Sequence, residues 1–128
     1  MNYLSAEQIL FIHARLIDET GGSHGLRDMD GLLAAVGRPR SSFEGKDLYP
    51  DLFSKAAALF ESIVQNHPFV DGNKRTGAVA ASLFLQRNGY ELTATSDDLV
   101  DIAMGIAQSQ FTVEQIASWL RGHSKAMK

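Results

Sequence analysis

The chain has 128 residues, of which 45% are hydrophobic, with 12 Lys and Arg against 15 Asp and Glu, a net charge of −3 and no cysteine. That size and composition suit one folded domain, 1–128, and exclude disorder, disulfides, thiolate metal sites and a thiol nucleophile; the slight acidity removes any general electrostatic pull, so no direct nucleic-acid binding is expected. No apolar run approaches the roughly 20 residues of a membrane span, and Met1-Asn2-Tyr3-Leu4 lacks a basic-then-apolar leader, so a cytoplasmic protein without a membrane partner is expected.

Ser5 and Gln8 have capping-box spacing, and Ile9, Ile12, Leu16 and Ile17 follow at helical intervals as far as Gly21-Gly22. His13 lies beside this stripe and reads as a histidine at the edge of the core. Asp28 is placed to cap a short helix carrying Leu32, Leu33 and Val36, which stops near Gly37 and Pro39. Arg38–Pro50 has no long periodicity. With Gly45 and Pro50 it reads as an exposed loop or small hairpin anchored by Phe43 and Leu48. About a dozen residues is long for a connection between packed helices, which points to a functional flap.

From Asp51 the pattern is strongly helical, with Leu52, Ala56, Leu59, Phe60 and Ile63 on one face, until Pro68 disrupts it after His67. A second strong helix runs from about Asn73 to Asn88. Its small residues Gly77, Ala78, Ala80 and Ala81 allow close approach to a neighbour, which nominates it as the central helix. Gly89 closes it, and Tyr90–Thr95 is at most a short extended piece. Ser96 with Asp97 and Asp98 marks the next helix, Thr112 caps the last, and Gly122 onwards is expected to fray. The expected fold class is all-α: a compact single-domain bundle of about six helices with a flap loop or small hairpin near 38–50.

Chemistry concentrates in His67-Pro68-Phe69-Val70-Asp71-Gly72-Asn73-Lys74-Arg75-Thr76, between the two strongest helices. A turn through Asp71-Gly72 followed by a helix start at Asn73 offers unpaired backbone N–H groups, which suit a phosphate. Lys74 and Arg75 add positive charge to a first helical turn, where it opposes the helix dipole and calls for an anion. His67 has the side-chain type for a general base at neutral pH. Asp71 is a hard oxygen ligand for magnesium. Asn73 could orient a phosphate oxygen or lock the turn, and Phe69 would anchor the segment in the core. The same residues also make an ordinary turn and helix cap, with Lys74 and Arg75 solvated.

This ten-residue segment resembles the signature of the Fic/Doc superfamily, and within it the death-on-curing (Doc) toxin branch. Typical Fic proteins have glycine where this chain has Lys74 and a second arginine where it has Ala78, whereas Doc-type toxins carry the lysine; Gly72, where many Doc proteins have alanine, is Fic-like. The resemblance implies a Fic/Doc-like fold across the chain and a toxin of a type II toxin–antitoxin pair. It implies a protein kinase that moves the ATP γ-phosphate to a threonine hydroxyl of elongation factor Tu and so inhibits translation. His67 would be the catalytic base, Asp71 the magnesium-associated carboxylate, and Gly72, Asn73, Lys74 and Arg75 the phosphate-contacting residues, with Lys74 and Arg75 also catalytic. ATP and magnesium are the implied cofactors, and a cognate antitoxin is the implied partner. The 38–50 loop falls where the family has its target-docking flap. The inhibitory helix of some Fic proteins needs Ser or Thr four residues before Glu44-Gly45, and Arg40 stands there. The rival readings are AMP transfer by the same loop and a non-catalytic partner-binding domain.

Overall fold

A computed structural model describes all 128 residues. Six helices form, α1 (Ala6–Thr20), α2 (Met29–Gly37), α3 (Leu52–Asn66), α4 (Asn73–Arg87), α5 (Ser96–Ala107) and α6 (Val113–Gly122). Two small two-stranded antiparallel sheets accompany them, the hairpin of β1 (Ser42–Phe43) with β2 (Lys46–Asp47), and β3 (Tyr90–Leu92) paired across α5 and α6 with β4 (Ser124–Ala126). The helix starts are encoded locally. Ser5 with Gln8, Asp51 with Ser54, Thr95 with Asp98 and Thr112 with Gln115 each close a reciprocal capping box, and Asp28 accepts the Gly31 N–H. The cap of α5 is thus Thr95, one residue before the Ser96 predicted for that start.

The central helix is α3 and not α4. It packs against α2, α4, α5 and α6, and Ala56, Ala57, Ala58, Phe60, Ile63 and Val64 are all fully buried. Its periodicity understates this burial because two polar residues share it. Lys55, 3% exposed, donates to the Pro39 carbonyl at 3.0 Å and lies 3.6 Å from an Asp47 carboxylate oxygen. Ser62 accepts from Arg38 at 2.9 Å. The small-residue face of α4 performs the close approach predicted for it. A Cβ on Gly77 would stand 3.0 Å from Val64 Cγ2 and 3.1 Å from Phe60 Cδ1.

Two predicted details are corrected. Phe43 and Leu48 do not anchor the 38–50 segment, being 67% and 55% exposed on a protruding hairpin. The roots hold it instead. Pro39 is buried in a 3-10 turn over Arg38–Arg40, and the Arg38 guanidinium joins Tyr49 Oη (2.9 Å), Glu61 (2.7 Å) and Ser62. The C-terminal tail is not frayed, because Ser124–Ala126 pairs with Tyr90–Leu92 and the Met127 N–H donates to the Gly89 carbonyl at 2.8 Å. No helix is long and apolar enough to cross a membrane.

Candidate active site

The segment from His67 to Arg75 links α3 to α4 and is held by contacts from the far side of the sequence. His67 ends α3 in the left-handed region, at φ 48° and ψ 56°, a conformation that costs a non-glycine residue about 1 kcal/mol or more unless its surroundings impose it. The surroundings do so. The Arg27 and Asp28 N–H groups donate to the Pro68 carbonyl at 2.7 and 3.0 Å, the Val70 N–H to the Gly25 carbonyl at 3.0 Å, and Leu26 bridges Phe69. The Arg27 side chain reaches the carbonyls of His67 (2.7 Å) and Asn66 (3.0 Å). The His67 side chain is exposed.

Phe69 is 1% exposed and lies flat on His13, with ring centroids 3.8 Å apart and planes 5° from parallel. The apolar anchor predicted for the loop is therefore present. The edge-of-core reading of His13 holds as well, but the residue also serves the site, since its Nε2 lies 2.8 Å from the Asp71 carbonyl oxygen and sets a nitrogen–oxygen hydrogen bond there. Asn73 locks the turn. Its Oδ1 accepts the Phe69 N–H and its Nδ2 donates to the Phe69 carbonyl, both at 3.0 Å, and the residue is buried. With its side chain committed, Asn73 has only its backbone N–H to offer a ligand.

Asp71 is exposed, and its two oxygens accept the Ser23 N–H (3.1 Å) and its neighbour Gly72's N–H (2.8 Å). Those two backbone donors, with Arg75 and His13 adding charge behind them, hold its carboxyl below the usual carboxylate range. It is therefore an ionised oxygen donor throughout the neutral range. Glycine suits position 72: φ is +79°, a conformation that favours it, and a Cβ would press on Ile17 Cδ1 at 3.1 Å. No side chain caps α4, so its first-turn N–H groups have no internal partner. Lys74 is exposed beside them. The Arg75 guanidinium bonds Thr20 Oγ1 and the Gly21 carbonyl (3.2 Å), a placement that keeps it beside Gly72.

The loop thus brings His67, Asp71, Gly72, Lys74 and Arg75 to one helix junction. Uncapped amides with adjacent cations suit phosphate oxygens, and the ionised, exposed Asp71 carboxylate suits a hard divalent cation. His13, Ser23 and Arg27 support the site without belonging to the motif. Next to it, Leu16, Ala78, Val79, Leu99, Val100 and Met104 line a groove of about 260 Å³ between α1, α4 and α5, with Lys74 and Arg75 at one end.

A six-helix bundle with this loop between its two best-packed helices defines a class of group-transfer enzyme. The chain belongs to the Fic/DOC family, in its Doc-toxin branch: the family model matches residues 3–85. It is 43% identical over 108 residues, 83% of each chain, to Toxin Doc of Mycolicibacterium smegmatis. It is also 32% identical over 121 residues, 94% of each chain, to Protein kinase doc of Escherichia phage P1.

Proposed function

We propose that the chain, acting as one unit over residues 1–128, is the toxin of a toxin–antitoxin pair and an ATP-dependent protein threonine kinase, with elongation factor Tu as its target. The observation that carries the kinase reading is the near full-length similarity to a protein named as a protein kinase, joined to the lysine at position 74 and the alanine at position 78.

In this reading the phosphates of ATP lie on the uncapped N–H groups of Asn73, Lys74 and Arg75, the Gly72 N–H being taken by Asp71, with Lys74 and Arg75 adding charge that the helix start alone does not supply. Asp71 would hold magnesium, which screens the charge on the phosphate oxygens when bound. The target hydroxyl oxygen attacks the γ-phosphorus, the bond to the bridging oxygen breaks, ADP leaves, and the hydroxyl proton passes to the His67 imidazole. Phe69, Asn73 and His13 keep the loop rigid while this happens.

Gly72 favours one second reading, AMP transfer, because glycine there is Fic-like. Mass spectrometry of elongation factor Tu after incubation with the chain, magnesium and ATP separates the two. Kinase activity adds one phosphate to a threonine. An added AMP selects the alternative, and an unmodified target removes elongation factor Tu from the proposal.

The antitoxin is proposed to occupy the groove between α1, α4 and α5. Val79 of α4 and Val100 and Met104 of α5 expose 38%, 54% and 47% of their surface there, an apolar strip across two helices that suits a segment folding on contact.

A further inference from the structure

We propose that Arg27, forty residues before the motif, is a positioning residue that sets the backbone of the catalytic base, an inference that rests on His67 acting as that base. Arg27 bonds three consecutive carbonyl oxygens. Its Nη2 donates to Asn66, its Nε to His67 and its own backbone N–H to Pro68, at 3.0, 2.7 and 2.7 Å. The first two of these carbonyls end α3 at the point where the chain leaves helical geometry. The N–H that would continue the helix onto Asn66, that of Val70, donates to the Gly25 carbonyl instead. Without Arg27 these two oxygens have no partner in the chain, and a guanidinium at a helix C-terminus is also the charge the helix dipole favours.

The consequence falls on one residue. His67 sits at φ 48°, a conformation uncommon for any residue but glycine, so its surroundings must hold it there. The arginine fork holds two neighbouring carbonyl oxygens at once, which a single-point donor does not reproduce. Arg27 thereby fixes the direction in which the imidazole leaves the chain. It does not touch the phosphate-facing amides at the start of α4, so its removal separates base placement from nucleotide binding.

The test compares Arg27→Gln and Arg27→Lys with the wild-type chain in steady-state phosphate transfer, thermal unfolding and the carbon-13 shift of His67 Cα. For Arg27→Gln the account expects kcat down at least tenfold, KM for ATP within twofold and a His67 Cα shift moved away from the left-handed value. Arg27→Lys retains the charge and falls between; it decides the matter if the glutamine variant unfolds. An unchanged kcat or an unchanged His67 shift would overturn the proposal, as would a lower kcat accompanied by a KM raised well beyond twofold and a lower thermal stability. If the wild-type chain transfers no phosphate, the kinase reading fails by itself, and the His67 shift still decides whether Arg27 sets that backbone.

Discussion

At the scale of single residues, the site separates side chains that face a ligand from those already spent on the fold. Asn73 is spent, with both amide atoms on the Phe69 backbone. Asp71 is intermediate, anchored by two backbone N–H donors yet exposed. Its folded-state carboxyl is depressed, so the stability it contributes is complete above the ordinary carboxylate range and disappears as pH falls through its lowered value. Asp71→Asn keeps an acceptor for Ser23 and removes the charge. It is expected to retain the fold and lose transfer by about 100-fold or more. Chemical denaturation of both proteins from pH 7 down to pH 2 checks the linkage: the stability gap narrows with acidification. A gap that widens would contradict it.

The residue scale also marks the limit of what the primary structure discloses. The motif was legible because its ten residues are contiguous and chemically dense. His13, Ser23 and Arg27 were not, because each meets the loop across 40 to 58 positions. A histidine beside an apolar stripe carries no mark that its ring stacks on a phenylalanine in another element.

Elements follow the same logic. Helix starts were readable because a capping box is a local pattern, and the small-residue face of α4 declared its close contact in advance. Which helix lies at the centre was not readable: α3 contains Lys55 and Ser62, whose partners Pro39 and Arg38 lie in the root of the flap. Phe43 and Leu48 misled for the opposite reason, since a two-residue ladder with a turn at Glu44-Gly45 lifts them off the body. The close contact of α3 with α4 makes a prediction. In Gly77→Ala the new methyl meets Val64 and Phe60 at about 3 Å. Overpacking costs about 1–3 kcal/mol, offset by about 1 kcal/mol of helix propensity. The expected result is a net loss of about 1 kcal/mol, read as a melting point lower by a few degrees, with transfer intact in the folded protein. A melting point at or above wild type would show that the α3–α4 contact has slack.

For the whole molecule, the arrangement divides labour between three regions. The α3–α4 junction holds the candidate active site, the hairpin at 42–47 stands off the body on roots clamped by Arg38 and Lys55, and the apolar groove runs from Lys74 and Arg75 along α5. If that groove takes the antitoxin, a charge placed in it affects neutralisation and leaves catalysis alone. Val100→Asp with Met104→Asp is predicted to weaken antitoxin binding at least tenfold, about 1.4 kcal/mol, in titration calorimetry, while phosphate transfer stays within twofold of wild type. Unaltered binding would move the antitoxin to another face.

The central claim is that the loop from His67 to Arg75 transfers a terminal phosphate with His67 as base. It is tested most directly by incubating the chain and its His67→Ala variant with magnesium, cell lysate and ATP labelled at either the γ- or the α-phosphate. The account predicts protein-bound label from the γ position alone, with the wild-type chain only. Label from the α position, or γ label undiminished in His67→Ala, would contradict it.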